Sequence, residues 1–148
     1  MGVLWIRATS TPAQTAPEPN FVFVVADDMR ADDLEFMPRT RALLGEQGMR
    51  FRNAFVSDPV CCPSRATIMR GQYAHNTKVW FTFNDAQGGW RGYRENELER
   101  DNVATRLDDA GYRTALIGKY LNGYSRGTTH VPRLGQVVRN LHAALPRP

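Results

Sequence analysis

A run of six apolar residues at positions 21–26, Phe-Val-Phe-Val-Val-Ala, constrains the fold of this 148-residue chain more than any other segment. An unbroken run of β-branched and aromatic residues is typical of a strand buried on both faces. Such strands occur in sheets that are covered by helices on each side. The run ends at Asp27 and Asp28, whose charges cannot continue a buried strand. It therefore predicts the first strand of an α/β domain.

Helix and strand signals alternate after this run. A helix is predicted from Pro38 to Gly48, because proline favours the first helical turn and glycine the position after the last. Positions 49–56 alternate apolar and polar residues, which predicts a second strand. Pro63 is expected to open another helix, and Gly71 to end it.

The second half of the chain continues the alternation less regularly. Residues 72–96 show no clean period and are interpreted as long loops with short elements. Asn102 is a typical N-cap for a helix that ends at Gly111, and residues 114–118 predict a buried strand. Strands that alternate with helices favour an α/β fold with a parallel or mostly parallel sheet.

Composition excludes several classes of protein. The net charge is +4, but the arginines are scattered along the chain, which favours a solvated surface over a nucleic-acid interface. No apolar stretch is long enough to span a membrane. The short apolar piece at residues 3–6 is not a complete signal peptide. Residues 8–19 are rich in Ala, Thr and Pro, so residues 1–19 are interpreted as a flexible leader.

The chain has two cysteines, Cys61 and Cys62, and they are adjacent. A disulfide between neighbours is strained, so a disulfide framework is excluded. A structural zinc site requires more ligands at other spacings. The pair must be explained by packing or by reactivity.

Asp27 and Asp28 follow directly after the first predicted strand. Such a pair, taken alone, is more often a turn or a helix cap. At the carboxyl edge of a parallel sheet, however, paired carboxylates suit a hard divalent cation.

Cys61 lies just before the predicted helix start at Pro63. A helix N-terminus favours bound anions through its unpaired N–H groups and its dipole. Arg65 follows four residues after Cys61, so both side chains can face the same side of the helix. Guanidinium groups bind tetrahedral oxyanions well. Lys119, at the end of the strand predicted over residues 114–118, is expected at the same sheet edge.

These segments resemble the signatures of the type I sulfatase family, within the alkaline-phosphatase-like superfamily. Residues 61–65, Cys-Cys-Pro-Ser-Arg, resemble the first signature, Cys-x-Pro-Ser-Arg, and residues 111–119 resemble the second, Gly-Tyr-x-Thr-x-x-x-Gly-Lys. Gly-Lys-Tyr-Leu-Asn-Gly-Tyr at 118–124 is similar to the N-acetylglucosamine-6-sulfatase-like branch. Many family members carry histidine where this chain has Leu121.

The resemblance implies the N-terminal part of an alkaline-phosphatase-like sandwich, with a mostly parallel sheet flanked by helices. It implies that Cys61 is oxidised to formylglycine by a maturation enzyme. A calcium ion would be held by Asp27, Asp28 and the formylglycine. Arg65 and Lys119 would act as catalytic residues on a sulfate ester, such as one carried by a sulfated sugar.

Other side chains are assigned with alternatives open. His75 can face the substrate, although a surface or hydrogen-bonded histidine is about as common. Five aromatic residues can stack on a sugar ring, but aromatic residues more often belong to the core: Trp80, Phe81, Phe83, Trp90 and Tyr93.

Residues 20–131 are interpreted as a partial sulfatase catalytic domain. After Asp109 there is no Asp or Glu, and residues 132–148 are expected to form an atypical tail, disordered or frame-shifted, with a weak helix at 135–144 and no further strand. By resemblance, further metal ligands lie downstream of this region, so the chain is expected to be truncated and weakly active alone. The resemblance favours export from the cell.

Two other functions are compatible with these residues. The first is a phosphonate monoester or phosphodiester hydrolase of the same superfamily, which would share the nucleophile and the metal. The second is a non-catalytic fragment or basic binding module, in which Cys61 would keep its thiol.

Overall fold

The structure is a computed structural model that describes residues 18–124, together with the backbone of residues 136–139. The leader predicted over residues 1–19 lies outside the described residues up to position 17, and 18–19 have no regular structure. The tail predicted over residues 132–148 lies outside them except for 136–139.

Short helices make up most of the described part of the chain. The α-helices are α1 (Pro38–Thr40), α2 (Cys61–Arg70), α3 (Ala74–Thr77), α4 (Gly89–Glu95) and α5 (Val103–Asp109). A π-helix at Arg41–Glu46 continues α1, and 3₁₀ helices occur at Ala31–Phe36 and Leu98–Arg100. None of the described helices is long and apolar enough to cross a membrane.

Helix α2 lies at the centre of the core. It packs against α3, α4 and α5. Most of the buried apolar side chains in the described residues form one cluster, made of Cys62, Ala66, Val79, Tyr93, Leu98, Tyr120 and Leu121. Cys62 and Ala66 of α2 therefore pack together with Tyr120 and Leu121, the two residues that follow Lys119.

Local capping signals explain where the helices begin and end. Gly71 adopts a left-handed conformation, with φ of 63°, and its N–H donates to the Thr67 carbonyl oxygen at the end of α2. The prediction that Gly71 ends this helix is confirmed. Asn102 caps α5, because its side chain accepts from two backbone N–H groups of the first turn. The prediction that Pro63 opens its helix is wrong by two residues, since α2 begins at Cys61.

The β-structure among the described residues is a two-stranded parallel sheet and one isolated parallel bridge between Phe81 and Gly88. The sheet pairs β1 (Ala115–Gly118) with β2 (Gln136–Arg139), from Ala115 opposite Gln136 to Gly118 opposite Arg139. The strand predicted at 114–118 is confirmed, but it is not buried, since Ile117 is 70% exposed. The expectation that no strand follows, with a weak helix at 135–144, is wrong at 136–139.

Two predicted strands do not form. Residues 21–26 have no strand structure, and Phe21 to Val25 are between 42% and 89% exposed. Residues 49–56 contain a turn and no strand. Strands depend on partners, and no described segment pairs with either run. The mostly parallel sheet flanked by helices is thus not present in the described part of the chain.

Candidate active site at the start of helix α2

Cys61 is the first residue of α2 and is half-buried. The preceding residue, Val60, is extended, and the first closing hydrogen bond of the helix runs from the Ser64 N–H to the Val60 carbonyl, at 2.9 Å. The N–H groups at positions 61 and 62 precede this bond and have no partner within the helix. The helix therefore presents its positive end beside the Cys61 side chain.

Arg65 follows one helical turn later and joins α2 to two other segments. One guanidinium nitrogen donates to the Lys119 carbonyl oxygen at 2.7 Å. A second lies 3.1 Å from Asp27 Oδ1. The Arg65 side chain is only 15% exposed. Its burial and these two contacts hold its charge beside Asp27.

Lys119 approaches the same carboxylate from the other side. It follows β1 directly, and its Nζ lies 2.7 Å from Asp27 Oδ2. This hydrogen bond is the main cause that lowers the pKa of Asp27, with Arg65 adding to it against a smaller opposing effect of burial. Burial would lower the pKa of Lys119, but its hydrogen bonds to Asp27 and Cys61 outweigh burial and raise that pKa. Both groups are therefore charged at neutral pH.

Asp28 completes the acidic side of the site. Its φ of 55° lies in the left-handed region, which residues other than glycine rarely adopt. The ligand atoms of Asp27, Asp28 and Cys61 all lie within 4.8 Å of one another. The Cys61 sulfur stands here for the oxygen that an aldehyde hydrate at this position would carry.

This spacing fits calcium. Two oxygens on one calcium ion lie at most about 5 Å apart, because each calcium–oxygen distance is about 2.3–2.6 Å. The three described ligands are fewer than the six to eight oxygens that calcium takes, so water or other groups must supply the rest.

The structure brings together five of the six side chains proposed from the sequence: Asp27, Asp28, Cys61, Arg65 and Lys119. His75 is the exception. It lies exposed on α3 and stacks on Tyr73, with ring centroids 5.8 Å apart. Within the described residues, no hydrogen bond or ion pair joins it to the cluster.

Sequence reasoning missed two residues beside the cluster, Cys62 and Asn122. Cys62 is fully buried, and burial raises the pKa of its thiol. Its Sγ accepts from the Asn122 N–H at 3.2 Å and lies 3.3 Å from Asn122 Oδ1. Cys62 occupies the variable position of the motif, so the pattern gave no signal for it. Leu121, at the position where many sulfatases carry histidine, is buried in the core.

The site combines a thiol at a helix N-terminus, an acidic pair and two basic side chains on one of those acids, an arrangement that suits an oxyanion beside a cation. The sulfatase family model matches residues 19–141 of this chain. The chain belongs to the sulfatase family. That membership implies an alkaline-phosphatase-like α/β fold.

Individual relatives agree. The chain is 41% identical to an extracellular sulfatase of Drosophila melanogaster over 111 residues, which are 72% of this chain and 10% of that protein. It is 37% identical to an N-acetylglucosamine-6-sulfatase of Capra hircus over 131 residues, covering 83% of this chain and 23% of the relative. An arylsulfatase of Chlamydomonas reinhardtii is 33% identical over 135 residues, which are 88% of this chain and 21% of that protein. No solved structure matches.

Proposed function

We propose that this chain carries the nucleophile of a sulfuric ester hydrolase, and that the nucleophile is a formylglycine made from Cys61. The convergence of Cys61 with Asp27, Asp28, Arg65 and Lys119 carries the proposal, because these residues come from three distant segments. The chain spans between 10% and 23% of the length of the relatives described above, so the activity concerns a site to which this chain contributes a part.

The reaction needs an acceptor that can first take up and then release a sulfuryl group. Formylglycine would supply this as an aldehyde hydrate: one hydroxyl attacks sulfur as the alcohol of the ester leaves, and the other then loses its proton, expels sulfate and re-forms the aldehyde. Such covalent catalysis divides one difficult step into two easier ones. The N–H groups at the start of α2 and the guanidinium of Arg65 suit the binding of a tetrahedral oxyanion.

Asp27, Asp28 and the residue at position 61 would hold the calcium ion. A bound calcium ion polarises the oxygens of the sulfate group. Lys119 is held near Asp27 and Cys61 with its positive charge intact, and it would offset negative charge that develops on the substrate. With three ligands of its own, the chain is expected to bind calcium weakly and to turn over little sulfate ester alone.

The proposed substrate is a sulfated sugar. One relative is named for N-acetylglucosamine 6-sulfate, and another is an extracellular sulfatase, which also supports export. Trp80, Phe81 and Phe83 are 44% to 74% exposed, so they are free to stack on a sugar ring, whereas Tyr93 is buried.

The direct test is the chemistry of position 61. The 148-residue chain is expressed with a formylglycine-generating enzyme, and the peptide that contains both cysteines is analysed by mass spectrometry. We expect an aldehyde at Cys61 and an intact thiol at Cys62, with conversion retained in Cys62→Ala and lost in Cys61→Ala. A thiol at position 61 in every sample would contradict the proposal and favour the non-catalytic fragment.

Calcium binding tests the acidic pair separately. Calorimetry should detect weak binding that is lost in Asp28→Asn. Asp108→Asn, an exposed acid on α5, is the matched control and should bind as the unchanged chain does. Equal binding by both variants would exclude Asp28 as a ligand. Any residual activity of the converted chain is measured on an aryl sulfate and on a phosphate diester. Faster turnover of the sulfate indicates a sulfatase, and faster turnover of the diester indicates a phosphodiester hydrolase.

A further inference from the structure

Asn122 uses its backbone and its side chain to join three segments. Its N–H donates to Cys62 Sγ at 3.2 Å, and its Oδ1 lies 3.3 Å from the same sulfur, which donates its S–H. Its carbonyl oxygen accepts from the Trp90 N–H at 2.8 Å. A residue with this many defined partners has little freedom to move.

The contact with Cys62 fixes the segment that carries Lys119. At one end of residues 119–122, the Lys119 carbonyl accepts from Arg65 of α2. At the other end, Asn122 is bound to Cys62, also on α2. The two residues between, Tyr120 and Leu121, are each 3% exposed. The lysine segment is therefore fastened to the nucleophile helix at both of its ends.

Helix α4 limits the movement of Asn122 from the other side. Gly89, the first residue of α4, has a φ of 57°, and a Cβ at this position would lie 2.8 Å from the Asn122 carbonyl oxygen. The backbone at residue 122 is thus in close contact with α4 and hydrogen-bonded to α2. It cannot shift in either direction without breaking one of these contacts.

We propose that Asn122 and Cys62 are a pair of positioning residues that set where the Lys119 ammonium lies relative to Asp27 and Cys61. Cys62 is adjacent to Cys61, so the same contact relates the lysine to the nucleophile itself. A thiol suits this role because it accepts from the Asn122 backbone and donates to the Asn122 side chain at once. The role of Lys119 in chemistry rests on the proposed function, but the geometric claim does not.

Carbodiimide cross-linking measures this geometry directly. The reagent joins an amine to a carboxylate that it contacts, and the chain contains only two lysines, Lys78 and Lys119. With Nζ at 2.7 Å from Asp27 Oδ2, the Lys119–Asp27 amide should be the main lysine cross-link. Tryptic mapping then reports how often the lysine lies in place. The measurement requires no formylglycine, metal or sulfate ester.

Two pairs of variants test the proposal. Asn122→Ala removes the side-chain contact and should lower the initial rate of Lys119–Asp27 cross-linking by about fivefold, the change expected in an equilibrium when one ordinary hydrogen bond is lost. Cys62→Ala removes both contacts and should lower the rate at least as much. Cys62→Ser retains a donor and an acceptor and should restore most of the rate. Asn96→Ala is the matched control, because it removes a side-chain hydrogen bond to Gly92 away from the site.

Thermal unfolding by circular dichroism ensures that the comparison is made on folded protein. A merely structural role would lower the melting temperature in Cys62→Ala and Asn96→Ala alike, with the cross-linking rate unchanged well below the transition. That result, or equal rates in the Ala and Ser variants of Cys62, would overturn the proposal. If Asn122→Ala does not fold, the Ala and Ser variants at position 62 decide. Conversion of Cys61 to an aldehyde is scored separately, so either idea can fail without the other.

Discussion

Replacing Lys119 by methionine should strengthen calcium binding by this chain. The Lys119 ammonium lies 2.7 Å from Asp27 Oδ2, and a calcium ion bound through the same carboxylate would be about 5 Å from it, given ordinary calcium–oxygen distances. A divalent and a monovalent cation at that separation repel by about 1.7 kcal/mol even with the dielectric constant of water. Because the Lys119 side chain is only 31% exposed, the true repulsion is no smaller. The expected gain in affinity is therefore about tenfold or more.

Isothermal titration calorimetry at low ionic strength is the assay. Lys78→Met is the matched control, since Lys78 is exposed at the end of α3 and is the other lysine of the chain. The gain should shrink as salt is added, because at about 1 M salt charges are screened beyond about 3 Å. Unchanged or weaker binding in Lys119→Met would refute the reasoning, since it would mean that calcium does not bind at Asp27 or that the lysine organises the site for it.

Three further outcomes concern the fold around the site. Asn102→Ala should destabilise the chain by about 1–2 kcal/mol in urea unfolding, because two N–H groups of α5 lose their cap; an unchanged midpoint would contradict this. Gly89→Ala should cost about 1–3 kcal/mol, because its φ is positive and the added Cβ meets backbone atoms within 3 Å, whereas Gly45→Ala, with open space, should not destabilise. The hydrogen bond from Arg106 lowers the pKa of Asp101 from 3.8 to about 2. The stabilisation that this ion pair gives is therefore present above about pH 4 and lost as the pH falls through about 2. Asp101→Asn should make the melting temperature depend less on pH over that range.

Helix boundaries were predictable because their causes are local. Gly71 and Asn102 act within a few residues of their own positions, so their signals can be read without knowledge of the fold. The start of α2 was placed two residues late because proline is tolerated throughout the first turn and does not fix the first residue.

Strands were less predictable because pairing is not local. The apolar run at 21–26 has strong strand propensity, yet no described segment hydrogen-bonds to it. The strand at 136–139 was missed for the converse reason. Its sequence, Gln-Val-Val-Arg, has a weak pattern of its own, and its pairing with β1 defines it.

The residues of the candidate site were predicted from the sequence motifs and their order, and five of the six lie together in the structure. Their mutual contacts were not available from the sequence. Spacing places Arg65 on the same face as Cys61, but it does not show that Arg65 and Lys119 share one carboxylate. Asn122 had no signal, because a hydrogen bond to a neighbouring sulfur depends on the packing of residues 60 positions apart.

The contacts of Asp27 also determine how its own segment is attached. In the described part of the chain, residues 21–28 have no ladder partner, and their contacts with the rest include the ring of Phe21 against Tyr112 and the ion pairs of Asp27. The ion pairs of Arg65 and Lys119 thus hold the acidic end of this segment against the rest of the chain. Salt would weaken these partly buried ion pairs only in part, but it would not weaken the apolar core around α2 at all. In high salt, the segment that carries Asp27 and Asp28 should therefore lose its contacts before the helices around α2 are affected.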